Sequence, residues 1–182
     1  FLSVAFAASS CSNSYKKASI SLNLKDVGGQ WVYVGRWNGI GSSITDSFKL
    51  SKRGRGSFFL RTTTPELLAL SFDRLHFPVL LCLEPGSNVE VTGATGSYQV
   101  NGSLESARIN TFQQRYNNFL EELALLSITI PDSAGSARND SLILAYNHKI
   151  DSLVFNFRRF ALSEVRANPF NLSSIPILLT PL

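Results

Sequence analysis

The sequence predicts an α+β fold: an antiparallel β-sandwich of about seven or eight short strands followed by two long α-helices. Three observations carry this reading. Apolar and polar residues alternate with a period of two in much of the stretch from Ala18 to Val100. Turn-forming Gly, Pro, Asn and Asp break that stretch about every 8–12 residues, the spacing of a sandwich or barrel. After Gly102 the apolar period becomes helical. With 44% hydrophobic and 16% charged residues, the chain can bury a real core, which excludes wholesale disorder.

The strands follow in order. Ile20, Leu22 and Leu24 alternate with Ser21, Asn23 and Lys25, as in a half-buried strand. Asp26 to Gly29 reads as a turn. Trp31, Tyr33 and Trp37 with Val32 and Val34 form an aromatic, β-branched strand, which Asn38–Gly41 ends. Ile44 to Leu50 is the next strand, and Arg53–Gly56 a tight turn. Strands then start at Phe58 and cover Leu67–Phe72, Phe77–Leu83, Val89–Val91 and Tyr98–Val100, with Pro85-Gly86 and Thr92-Gly93 as punctuation. All connections are short, which predicts antiparallel pairing. The run Val79–Leu83 is continuously apolar, so it is expected to be a central strand with both faces covered, the second by the helices that follow.

Ile109, Phe112, Tyr116, Phe119, Leu120 and Leu123 recur at helical spacing, with Ser103 as a cap, and the helix is expected to reach about Leu126. Ile130 to Gly135 breaks it. A second helix is expected from about Asp140. Its apolar face is Ile150, Leu153, Val154, Phe157, Phe160, Ala161 and Val165, and it ends before Asn168-Pro169. Residues 171–182 suggest a short or interrupted third helix capped by Asn171 or Ser173.

Residues 1–10 are apolar and taper into small residues before Cys11. The run is too short to span a bilayer, which needs about 20 residues. It reads as the end of a signal peptide, and Ala8-Ser9-Ser10-Cys11 is similar to a bacterial lipobox, with Ala where Leu is usual. The expectation is lipidation at Cys11, with Ser12–Lys17 as a tether; the alternative is an ordinary cleaved signal with an incidental Cys. The sequence lacks Met and ends on apolar residues, from which a fragment or a processed product, with a further segment beyond Leu182, is expected. The predicted organisation is signal and tether at 1–17, sandwich at 18–101, helices at 102–168, and the start of a further segment at 169–182.

The residues argue against chemistry within this chain. Thiol–disulfide exchange needs an exposed, low-pKa thiolate, whereas Cys82 stands in Leu80–Leu83 and reads as a core cysteine. His76 and His148 are the only histidines, too few for a catalytic zinc site, so neither a metal nor another cofactor is expected. No G-x-S-x-G elbow is present, and Glu121 and Glu122 are neighbours that point apart on a helix. The net charge of +4 is dispersed. Its one cluster, Lys52, Arg53 and Arg55, reads as a solvated hairpin turn, with an anion contact as the alternative, and no nucleic-acid stripe is seen. Trp31, Tyr33 and Trp37 are the candidate ligand contacts, able to stack a glycan or a peptide.

Several short motifs carry a resemblance in their order and spacing. These are Asp46-Ser47, Gly56-Ser57-Phe58-Phe59, Leu83-Glu84-Pro85-Gly86 with Val89-Glu90-Val91, Val100-Asn101-Gly102-Ser103, and Asn168-Pro169. Over Ala18 to Pro169 the chain resembles the module called domain of unknown function 4369, found in envelope lipoproteins of Bacteroides-type bacteria, commonly ahead of a thioredoxin-like domain. The resemblance implies a non-catalytic N-terminal module, lipid-anchored to a membrane and facing the periplasm. Its implied partner is a thioredoxin-like thiol–disulfide oxidoreductase domain in cis. It brings no catalytic residues. The competing expectation is a free-standing ligand-binding lipoprotein that uses the aromatic strand.

Overall fold

The computed structural model describes residues 15–73, 78–128 and 137–181. Eight strands come first: β1 Lys16–Leu24, β2 Trp31–Trp37, β3 Ser42–Lys49, β4 Arg55–Thr62, β5 Glu66–Phe72, β6 Val79–Leu83, β7 Asn88–Gly93 and β8 Gln99–Asn101. Three helices follow: α1 Leu104–Ile128, α2 Ala137–Ala167 and α3 Ser174–Leu178. The fold is α+β, with two four-stranded sheets ordered β4-β1-β7-β8 and β3-β2-β5-β6.

The period-2 pattern does its work between the sheets. Ala18, Ile20, Leu22 and Leu24 of β1 meet Val32 and Val34 of β2, Leu68, Leu70 and Phe72 of β5, and Val79, Leu81 and Leu83 of β6. Val89, Val91 and Val100 complete the same core. Burying each such Leu, Ile or Phe contributes about 1.5–3 kcal/mol. At one side of the sandwich, Phe48 and Phe58 stack at 6.0 Å between the edge strands β3 and β4.

Two expectations about the sheets are corrected. Pairing is not antiparallel throughout: β1 runs parallel to β7, from Ser19 opposite Asn88 to Leu24 opposite Gly93. Short connections fix how neighbours in sequence turn, but β1 and β7 are separated by most of the domain, so that rule never applied to them. Nor is β6 central; it is an edge strand paired only with β5. Both of its faces are buried, as expected: Leu80 and Cys82 point away from the core and pack with Ala69 and Ile109 of α1. Its open edge is closed by α1 as well. Ser106 Oγ accepts the Cys82 N–H at 2.9 Å and donates to the Cys82 carbonyl at 2.8 Å. Ser103 Oγ donates to the same carbonyl at 3.2 Å. A helix thereby satisfies backbone groups that a ninth strand would otherwise have taken.

Ser103 also caps α1, its Oγ accepting the Ser106 N–H at 3.2 Å. A polar seam joins α1 to the strand β8: Asn110 and Gln114 donate to the Tyr98 carbonyl at 3.2 and 2.7 Å, and the Tyr98 hydroxyl donates to Gln113 at 2.8 Å. Desolvation by burial pushes the Tyr98 hydroxyl pKa upward.

Helix α2 packs on α1 and α3. Phe157 lies at the centre of their shared cluster, 4.5 Å from Phe119 and 5.7–5.9 Å from Phe112, Tyr116 and Phe160. Arg115 stacks over Phe160 at 4.0 Å. Helix α1 runs two residues past the expected end and α2 starts three earlier than expected, while α2 stops at Ala167, before Pro169. The expected break at Ile130–Gly135 lies outside the described residues. The expected side-chain cap on α3 is absent: Ser173 precedes the helix but makes no side-chain cap bond. The Asn171 side chain is instead drawn to Glu105, donating to Oε1 at 2.7 Å.

Candidate functional site

Strand alternation places Trp31, Tyr33 and Trp37 on the outer face of the second sheet, because Val32 and Val34 point into the core. The tertiary structure divides them. Trp37, like Leu67 and Leu172, is partly buried against the cluster of Ala69, Leu80, Cys82 and Ile109, so it is not a free stacking surface. Trp31 is 44% exposed and Tyr33 half-buried. The Tyr33 hydroxyl donates to Asp73 Oδ1 at 3.1 Å, and the Trp31 N–H approaches Asp73 Oδ2 at 3.4 Å. The hydrogen bond to Asp73, desolvation and the carboxylate charge together push the Tyr33 pKa upward. The surface that remains is Trp31, Tyr33 and Asp73, flanked on β3 by exposed Ser47 and Ile44. Asp73 escaped the sequence reading. The one available signal was a carboxylate directly after the strand Leu67–Phe72.

Cys82 is buried, and desolvation, then Glu105 and Glu84, push its thiol up to about 12. The thiolate that disulfide exchange requires is therefore scarce at neutral pH. Cys11 and His76 lie outside the described residues. His148 is exposed on α2, and Glu121 and Glu122 are exposed on α1. Lys52, Arg53 and Arg55 sit in and beside the β3–β4 turn, all exposed. That turn depends on Gly54, at φ 74°, whose added Cβ would lie 1.7 Å from the Leu24 carbonyl oxygen. Among the described residues, no group of three His, Cys, Asp or Glu is placed to hold a metal ion, and no helix is long and apolar enough to cross a membrane.

The helices also carry exposed apolar side chains: Ile143, Leu144, Phe155 and Leu162 of α2 and Leu125 of α1. A cavity of about 220 Å³ between α2 and α3 is lined by Ala161, Leu162, Val165, Ile177 and Leu178 with Arg158 and Thr180.

No protein-family model and no curated protein matches the chain. Among solved structures, it is similar to one chain in the structure of a disulfide-locked mutant of intermedilysin with human CD59. That match has 14% identity and a TM-score of 0.25, and covers 50% of this chain and 24% of that one. A likeness this slight carries no argument about function.

Proposed function

We propose that this chain is the non-catalytic N-terminal module of a membrane-anchored envelope lipoprotein. It is acylated at Cys11 and positions a thioredoxin-like thiol–disulfide oxidoreductase domain on the periplasmic side. The observation that carries the reading is the helical hairpin. Helix α1 is fixed to the sandwich through Ser103, Ser106 and Ile109, while α2 presents Leu144, Phe155 and Leu162 outward with no sandwich strand against them. A rigid sandwich bearing a helix with exposed apolar side chains suits a module that holds another folded body. The burial and raised pKa of Cys82 leave redox chemistry to that other body.

The coding sequence beyond Leu182 tests the partner. A frame that reaches a thioredoxin-like C-x-x-C supports the reading, and the L144D/F155D/L162D variant of that longer protein should then lose hydrogen-exchange protection where the two parts meet. A stop codon within a few residues refutes the proposed partner. A second reading has its own observation, the exposed Trp31 beside Tyr33 and Asp73. It makes this face a glycan or peptide platform. Titrating intrinsic fluorescence with cell-wall fragments tests it; an unchanged spectrum removes it.

A further inference from the structure

One end of the sandwich carries exposed apolar tips. Strand register collects one set of segments at a single end. Lys16 opens β1 opposite Thr62, Glu66 opens β5 opposite Leu83, and Trp37 closes β2 opposite Ser42. Tyr15, the 38–41 loop and the start of α1 therefore share that end. The segment after α2 joins them. Asn171 and Ser173 hydrogen-bond Glu105 at 2.7 and 3.0 Å, and Leu172 packs against the same buried cluster as Trp37. Leu179 abuts Gly39, where an added Cβ would lie 2.8 Å from it.

Two tight turns at this end hold apolar side chains in water. Asn38 Oδ1 accepts the N–H groups of Ile40 and Gly41 at 3.2 and 2.9 Å, and Ile40 is 100% exposed. Asn168 accepts from Asn171 N–H at 3.2 Å and Ser174 Oγ at 2.6 Å, and Phe170 between them is 98% exposed. Leu104, Leu178 and Leu179 add exposed apolar area nearby. At the opposite end, the described turns at 25–30, 50–54 and 94–98 carry no exposed large apolar residue, and Trp31 beside them is 44% exposed. Basic residues surround the apolar tips. With Arg36 paired to Glu66 and Arg108 to Glu105, Lys16, Lys17, Arg61 and Arg166 outnumber Glu84 and Glu164 there, and the opposite end is basic as well, through Lys25, Lys49, Lys52, Arg53 and Arg55.

We infer that this end rests on a bilayer surface with anionic headgroups, into which Ile40 and Phe170 insert. Apolar tips ringed by basic residues are the chemistry of interfacial membrane contact. The chain also reaches β1 from Cys11 at this end, so an anchor there would hold these tips against the surface. The inference deepens the proposed membrane anchoring and rests on it.

The test uses an artificial tether, so it does not depend on acylation in the cell. The chain is coupled through Cys11 to maleimide lipid in vesicles of phosphatidylethanolamine and phosphatidylglycerol; Cys82, buried and protonated, is spared. Phe170→Trp and Phe155→Trp variants are compared with and without brominated lipid, after subtracting the emission of Trp31 and Trp37 from the parent chain. The expected result is loss of emission from the position-170 probe and none from the position-155 probe on α2. An unquenched position-170 probe, or equal quenching of both, overturns the inference. Unmodified Cys11 in native protein would instead remove the natural anchor while leaving this result standing.

Discussion

Replacing Ser106 by Ala isolates the device that closes the sandwich. One hydroxyl serves both backbone groups of Cys82 at the β6 edge, at 2.9 and 2.8 Å, and the Ser106 side chain is wholly buried. Without it the Cys82 carbonyl keeps Ser103 at 3.2 Å, but the N–H has no other partner among the described residues. A buried donor left unsatisfied costs about 1–3 kcal/mol. Ala gains a few tenths of a kcal/mol in helix propensity over Ser. The net loss is therefore about 2 kcal/mol, or a fall of about 4–8 °C in Tm for a chain of this size. Urea titration followed by far-UV circular dichroism measures it. Thr111→Ala is the control, because Thr111 is exposed and bonds only the Ala107 carbonyl of its own helix. A Ser106→Ala variant within about 0.5 kcal/mol of the parent refutes edge closure by this hydroxyl.

Other outcomes follow from the same packing. Phe157→Ala removes the ring shared by four aromatic neighbours and should cost about 3–5 kcal/mol, read by denaturation with loss of near-UV dichroism. Gly54→Ala forces a side chain into φ 74° against the Leu24 carbonyl and should destabilise by about 2 kcal/mol or more in the same assay. Iodoacetamide at pH 8 should leave Cys82 unmodified until denaturant is added. Its folded pKa is raised to about 12 from 9.0, so its stabilising contribution is complete below pH 9 and is lost as pH rises toward 12. Asp26 behaves oppositely. Burial draws its pKa up, but hydrogen bonds from Thr95 and its own backbone outweigh this and lower it from 3.8. Its contribution is thus present above pH 3.8 and lost as pH falls through the lower folded value; acid titrations of the parent and Asp26→Asn chains should converge there.

Periodicity made the elements legible because alternation and helical spacing are local consequences of burial. It identified the inward residues of β1, the sandwich and the face of α2 that meets α1. It was silent about partners. Nothing in Ser19–Leu24 or Asn88–Gly93 announces that they run parallel, since both alternate as any half-buried strand does. The run Val79–Leu83 reported two covered faces correctly but not the edge position, because its edge is met by Ser106 of α1 and the capping Ser103, more than 20 residues away. The aromatic trio shared a face as read. The partial burial of Trp37 came from a cluster that includes Ile109 of α1, distant in sequence, and the carboxylate orienting Tyr33 lay beyond the strand boundary.

The proposed anchoring turns on Cys11. The most direct measurement is mass spectrometry of the N-terminal peptide from mature protein isolated from its own cells. The account predicts cleavage before Cys11 and a diacylglyceryl-modified cysteine at the new N-terminus. An unmodified Cys11, or a mature N-terminus elsewhere, would contradict it.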